Sequence, residues 1–204
     1  MKNITVKVTY TEPILGTQSG NADIHAEFIA SKAPDAMSRE EEIAAIGVNE
    51  EIEKTMTVFP KQDGKPFVWD YQWRGFFKDT CSALQRMKGE KCAEQSNKLK
   101  AYKKIIDGCV MIEPRKIMFD GFDGNMGNLQ RPLRGQTAQG ERIALANSEM
   151  IPAGVTNTFS VIVPDQYEAC IYEWLNRGKY RGMLQWRNGG YGRFDYEVLS
   201  VTEA

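Results

Sequence analysis

Between residues 3 and 10 the chain alternates: Ile4, Val6 and Val8 fall on one side, Thr5, Lys7 and Thr9 on the other. That is the period of a half-buried strand. Pro13 stops it, and residues 16–21 read as a loop. Residues 38–54 start with Ser38 and reach Glu41 three positions on, a capping-box pattern. Ile43, Ile46 and Ile52 then give a weakly amphipathic acidic helix, with Gly47 as a break. Residues 55–59 form a short strand, and 62–65 a tight turn. Residues 70–88 predict a helix capped by Asp70, with Trp73, Phe76, Phe77, Cys81 and Leu84 as an apolar stripe at three-to-four spacing. A basic helix follows over 94–106, then strand over 109–112 and 117–119, interrupted by Pro114. Five glycines and little periodicity make 120–141 a long loop. Alternation returns over 157–163, a short amphipathic helix over 166–176, and a final strand over 194–201.

In order this is strand, helix, strand, strand, helix, strand. It predicts an α+β fold: a ferredoxin-like or RRM-like antiparallel sheet with two helices on one face and the other face free to bind. The 204 residues suit one domain, with 17–66 as an insertion carrying the acidic helix. No apolar run approaches the ~20 residues of a membrane span, and the N-terminus has no apolar leader core, which predicts a cytoplasmic protein.

Charge changes the picture. The net charge is −1, but residues 21–60 hold nine acids and three bases, net −6, which leaves +5 elsewhere. Residues 85–104 hold seven bases and two acids. The bland account is a solvated helix face; the sharper one is a surface that tracks phosphates. Cys81, Cys92, Cys109 and Cys170 form no CxxC pair and read as reduced thiols, and His25 is the one histidine, so neither a zinc site nor any other metal site or cofactor is expected.

Candidate chemistry concentrates in 178–194. Arg181, Arg187 and Arg193 are forked donors suited to phosphate, Trp186 and Tyr191 are faces on which bases stack, and the glycines between them permit close approach. Their alternative is a packed glycine turn with exposed arginines. Lys98, Lys100, Lys103 and Lys104 extend a basic track, Arg74 and Lys78 sit at a helix start, and Arg115, Lys116, Arg131 and Arg134 flank the long loop.

Four stretches carry a family resemblance. Gly182, Gly190, Gly192 and Arg193 resemble the C-terminal glycine-rich signature of the RAMP superfamily, the repeat-associated proteins of CRISPR effector backbones. Thr11-Glu12-Pro13-Ile14-Leu15-Gly16 resembles the family's element after the first strand, and 71–78, with Arg74, Gly75 and Lys78, its first-helix start. Residues 150–159, with Pro152, Gly154 and Phe159, resemble its lead into a core strand. The matches run in the family's order across nearly the whole chain. One departure is Val68-Trp69-Asp70, where the family has Ile-Pro-Gly. The chain is also similar to stand-alone proteins of phages and prophages of bacteria, which implies the cytoplasm of a bacterial host cell.

The resemblance implies a non-catalytic protein that binds single-stranded nucleic acid, RNA more than DNA, and assembles side by side along the strand. The acidic segment 35–53 would then meet the basic segment 85–104 of the next copy. A second reading is a phage anti-defence protein that mimics or blocks a CRISPR or other host defence complex. A third is a metal-dependent ribonuclease using His25, or Asp120 and Asp123, although two Asp-Gly turns explain those aspartates equally well.

Overall fold

The computed structural model describes residues 1–20, 56–137 and 140–204, with side chains left out for 132–137 and 140–145. The acidic helix expected over 38–54, the segment 35–53 and His25 lie outside the described residues.

A four-stranded sheet forms the centre. Its strands are β1 (Lys2–Tyr10), β7 (Met111–Glu113), β11 (Thr156–Val163) and β12 (Phe194–Glu203), in the order β12-β1-β11-β7. Every neighbour is antiparallel. This is the expected ferredoxin-like sheet, with its first and third strands central. Helices α1 (Asp70–Leu84) and α4 (Glu168–Asn176) supply the two crossovers. Ile4, Val6, Val8 and Tyr10 of β1 are buried against them, as are Phe159, Val161 and Val163 of β11. Trp73 of α1 lies 4.4 Å, centroid to centroid, from Phe159 and 5.3 Å from Phe194, while Phe77 meets Trp174 of α4 at 5.4 Å.

Several polar groups of this core are paired, while the Trp73 indole N–H and the Thr80 hydroxyl have no hydrogen-bond partner among the described residues. Tyr10 donates to Asn157 Oδ1 (2.7 Å), Asn157 donates to the Met118 carbonyl (2.6 Å), and Trp174 donates to Ser96 Oγ (3.0 Å). Leaving any of these donors unpaired would cost about 1–3 kcal/mol.

The opposite face of the sheet carries Thr5, Lys7 and Thr9 on β1, Thr158 and Ser160 on β11, and Asp195 and Glu197 on β12. It is a field of small hydroxyls and mixed charge. The outward positions that these strands pair across it hold no aromatic ring, so nothing there stacks a base.

Second and third sheets frame the first. β2 (Ile14–Leu15), β3 (Gln18–Ser19), β4 (Met56–Val58), β9 (Gly127–Thr137) and β10 (Gly140–Ile151) make one, with β10 central. β5 (Lys61–Gln62), β6 (Lys65–Trp69) and β8 (Lys116–Met118) make the other.

Three sequence expectations change. Residues 120–141 are not loop throughout: 120–126 are, but 127–137 pair with 140–151 in a long antiparallel ribbon. Pro132 sits inside that ribbon, and the described side chains of its first strand, over 127–131, include none that is buried, so its sequence lacks the alternation a packed strand shows. Trp69, not Asp70, is the N-cap of α1. Its N–H donates to Gln72 Oε1 (2.9 Å), and the Asp70 N–H donates to the Arg115 carbonyl (2.9 Å). The basic stretch 94–106 is two helices, α2 (Glu94–Lys98) and α3 (Tyr102–Cys109), parted at Ala101, whose φ is 54°. The Gln85 amide donates to the carbonyls of Ser96 and Leu99 (3.0 and 2.8 Å) and so ends α2.

Candidate nucleic-acid interface

The glycine-rich segment leaves α4 through a short helix α5 (Gly178–Arg181) and returns into β12. Between them the backbone is left-handed at Gly182, Leu184, Trp186, Gly190 and Gly192. At two of these only glycine fits. A Cβ on Gly182 would lie 2.3 Å from the Tyr191 carbonyl oxygen, and one on Gly192 would lie 2.3 Å from that of Met183. The loop closes on itself through Met183 N–H to Gly192 O (3.0 Å). It is laced to the segment after β1 through Gly192 N–H to Pro13 O (2.8 Å) and Thr11 N–H to Arg193 O (2.9 Å). Two of the four stretches that carry the family resemblance are thus in direct contact.

This backbone holds up a stack. Trp186 and Tyr191 lie with ring centroids 5.8 Å apart and planes 22° from parallel. Arg131 reaches across from β9 and sets its guanidinium 3.9 Å from the Trp186 centroid. Among the described residues Arg131 has no carboxylate partner. Trp186 thus meets both a ring and a cation. Behind the stack, Asp79 of α1 accepts from Arg181 Nε (2.9 Å) and lies 3.0 Å from Arg187 Nη1. Arg181 also donates to Asn188 Oδ1 (2.8 Å), and the bond to Asp79 holds its pKa above the ordinary value. An added Cβ on Gly190 would lie 3.6 Å from the Arg193 guanidinium, and one on Gly189 would lie 3.9 Å from Arg131 Nη1. Four guanidinium groups thus gather round a double-glycine turn with one carboxylate between them.

Sequence-derived candidates divide into groups. Arg131, Arg181, Trp186, Arg187, Tyr191 and Arg193 come together here. Arg115 and Lys116 form a separate group over the ring of Trp69, at 5.4 and 5.6 Å, with Tyr71 stacked on that ring. Arg74 pairs with Asp70 (2.7 Å), Lys78 with Asp107, and Lys98 with Glu94 (2.8 Å), which holds the Glu94 carboxyl below its usual range. Lys100, Lys103 and Lys104 are exposed around the break between α2 and α3. The Arg134 side chain lies outside the described residues.

Asp120 and Asp123 are used locally. Asp120 exchanges backbone hydrogen bonds with Thr156 (2.8 and 2.9 Å). Asp123 accepts from the backbone and side-chain amides of Asn125 (2.9 Å each), which lower its carboxyl pKa. That is an Asx turn, as two Asp-Gly steps suggest.

Sequence reasoning passed over Asp79, Gln185, Thr57 and Ser148. Asp79 carries no motif, and its role shows only when α5 folds back on α1. Gln185 accepts from the Ser148 and Thr57 hydroxyls (3.2 and 3.3 Å) at the foot of the stack. Its one sequence signal is its place beside Trp186 in the glycine loop.

No helix among the described residues is long and apolar enough to cross a membrane. No protein-family model matches the chain, and no curated protein matches it by sequence. Among solved structures it is similar to a chain of the Type III-B Cmr-beta assembly determined by cryo-electron microscopy with cognate target RNA bound. The two are 12% identical, with a TM-score of 0.46, over 98% of this chain; the chain spans 60% of that chain's length.

Proposed function

We propose that this protein binds single-stranded nucleic acid, RNA more than DNA, without turnover, on the glycine loop and the adjoining β9–β10 ribbon. One observation carries the reading: Arg131 laid on Trp186, with Tyr191 stacked behind, beside a turn ringed by arginines. A guanidinium on an indole face is held in place while its N–H edge stays open to phosphate oxygens. Arg181 and Arg187 share one carboxylate, so the loop keeps a net positive charge. Two contacts of the cluster lie against glycine, which adds no side chain of its own there. The four stretches resembling the RAMP superfamily support the same reading. RNA over DNA and side-by-side assembly rest on that resemblance, and the acidic half of the assembly contact, 35–53, lies outside the described residues.

The test is fluorescence anisotropy with a labelled 20-nucleotide single strand, as RNA and as DNA, across salt concentrations. Affinity should fall with salt at a log–log slope of about −0.7 for each phosphate engaged. Arg131→Ala should weaken binding about tenfold and reduce that slope by about 0.7. Binding indifferent both to salt and to Arg131→Ala would remove the interface.

A further inference from the structure

The central sheet ends in two unlike edges. On one side β7 is three residues long, Met111–Glu113, and Pro114 follows it at once. Short strands and prolines are the usual guards of a sheet edge. On the other side β12 runs for ten residues, Phe194–Glu203, with neither proline nor glycine. Among the described residues no strand pairs with its outer side. Val198, Leu199 and Val201 are 37, 50 and 43% exposed along it.

Charge does not guard this edge either. Lys2 pairs with Glu203, Lys179 lies 3.0 Å from Asp195, and Lys7 stands opposite Glu197 in the register. Each acid of β12 thus has a lysine of its own copy beside it. One bulge interrupts the strand: Val198 opposes Val6 and Ser200 opposes Thr5, so Leu199 is an extra residue. A bulge ordinarily spoils an edge by twisting it. This one lies at the midpoint of the strand and divides it into matched halves. A side chain shares the face of the residue it opposes. Phe194, Tyr196 and Val198 therefore stand on the helix side before the bulge, and Val201 and Glu203 after it. Asp195, Glu197, Ser200 and Thr202 stand on the other side.

We infer that β12 pairs with β12 of a second copy, antiparallel across a two-fold axis between residues 198 and 199. In a regular strand, an axis between neighbours would set every residue against one of the opposite face. The bulge reverses the faces at that point and restores the match. Tyr196 then opposes Val201, Glu197 opposes Ser200 and Asp195 opposes Thr202, each pair on one face, while Val198 and Leu199 meet at the axis. No acid opposes an acid, and an aromatic side chain meets a β-branched one, a favourable cross-strand pair. This self-complementarity favours a second copy over an unrelated strand. The contact is isologous and closes at two copies, unlike side-by-side assembly along a nucleic acid. It does not depend on single-strand binding.

The experiment is sedimentation velocity on the full chain without nucleic acid, between about 1 and 200 µM, the range for a contact of modest size. Monomer should give way to dimer over that range and go no further. Leu199→Lys and Val201→Lys alter exposed side chains, so the fold, read by circular dichroism, should persist while the dissociation constant rises about tenfold or more. Ser200→Lys should tighten the dimer about twofold to fivefold, since it sets a lysine against Glu197 of the second copy twice over. A monomer at every concentration overturns the second copy as the occupant of this edge. A dimer indifferent to Leu199→Lys, or weakened by Ser200→Lys, overturns this pairing, as do oligomers larger than two.

Discussion

Trp73 and Trp186 both sit among aromatic rings, yet they do different things. Trp73 is fully buried, with Phe76, Phe77, Phe159 and Phe194 around it. Its ring neighbours come from α1 and the central sheet, and all four are phenylalanines. Trp186 is partly exposed and stands on left-handed backbone, between a tyrosine and an arginine from a different sheet. The first arrangement maximises the area withdrawn from water. The second leaves a cation and a ring edge in contact with water, at the cost of strained backbone. Where the surroundings are apolar and close from all sides, a tryptophan holds the fold together; where they are charged and open, it presents a surface.

The largest effect that would separate the two is stability. Trp73→Ala should lower unfolding free energy by about 3–5 kcal/mol, the range for removing a large aromatic from a packed core. Trp186→Ala should cost clearly less than Trp73→Ala, by about 1–2 kcal/mol or more, since a partly exposed ring gives up less buried area. Urea unfolding of both variants reads this directly, and equal losses would erase the distinction drawn here.

A second probe is alkaline pH, which reports on the groups buried in the core. Burial pushes the Cys170 thiol up from 9.0 to about 12. A group whose folded pKa is raised contributes stability that is complete below its unfolded pKa and disappears as pH climbs through the folded one. Stability should therefore decline from about pH 9 toward pH 12. Cys170→Ala should give a shallower decline over that window, measured as the slope of melting temperature against pH.

The smallest expected effect lies in the loop. Asp79→Asn removes the carboxylate that Arg181 and Arg187 share. Two guanidinium groups are then released toward the ligand, and affinity for single strands at low salt should rise by about twofold to fivefold, with a steeper salt slope. A fall in affinity would mean that Asp79 matters for placing the arginines and not for neutralising them.

The same contrast explains what the sequence could disclose. β1, β11, α1 and α4 are legible because each buries one face against the common core, and burial imprints a period of two or of about three and a half. The order of those elements sufficed for the ferredoxin-like sheet. The β9–β10 ribbon escaped notice because β9 contains Pro132 and, over 127–131, buries no residue that would enforce alternation. The loop is half legible: its glycines and arginines stand out as a string, but Asp79 lies 102 positions before Arg181. Arg131 lies 55 positions before Trp186, on a strand that itself carried no pattern. Long-range pairs of this kind leave no local trace. α2 and α3 read as a single helix because a side chain from outside the segment, Gln85, decides where the first one stops.

The strand order has a consequence in time. β1 is made first, yet both of its partners, β11 and β12, begin at residue 156 or later. At about 5–20 residues per second, a ribosome needs roughly 7–30 s to get from the end of β1 to the start of β11. Throughout that interval the strand destined for the middle of the sheet has both edges unpaired, and only the last quarter of the chain can cover them. Pro13 and the glycine loop, which clasp each other beside β1, are joined by the same late event. A chain that stalls before residue 156 therefore exposes an adhesive apolar strand and no binding loop, so nascent fragments of this protein are natural clients for chaperones that recognise extended hydrophobic segments.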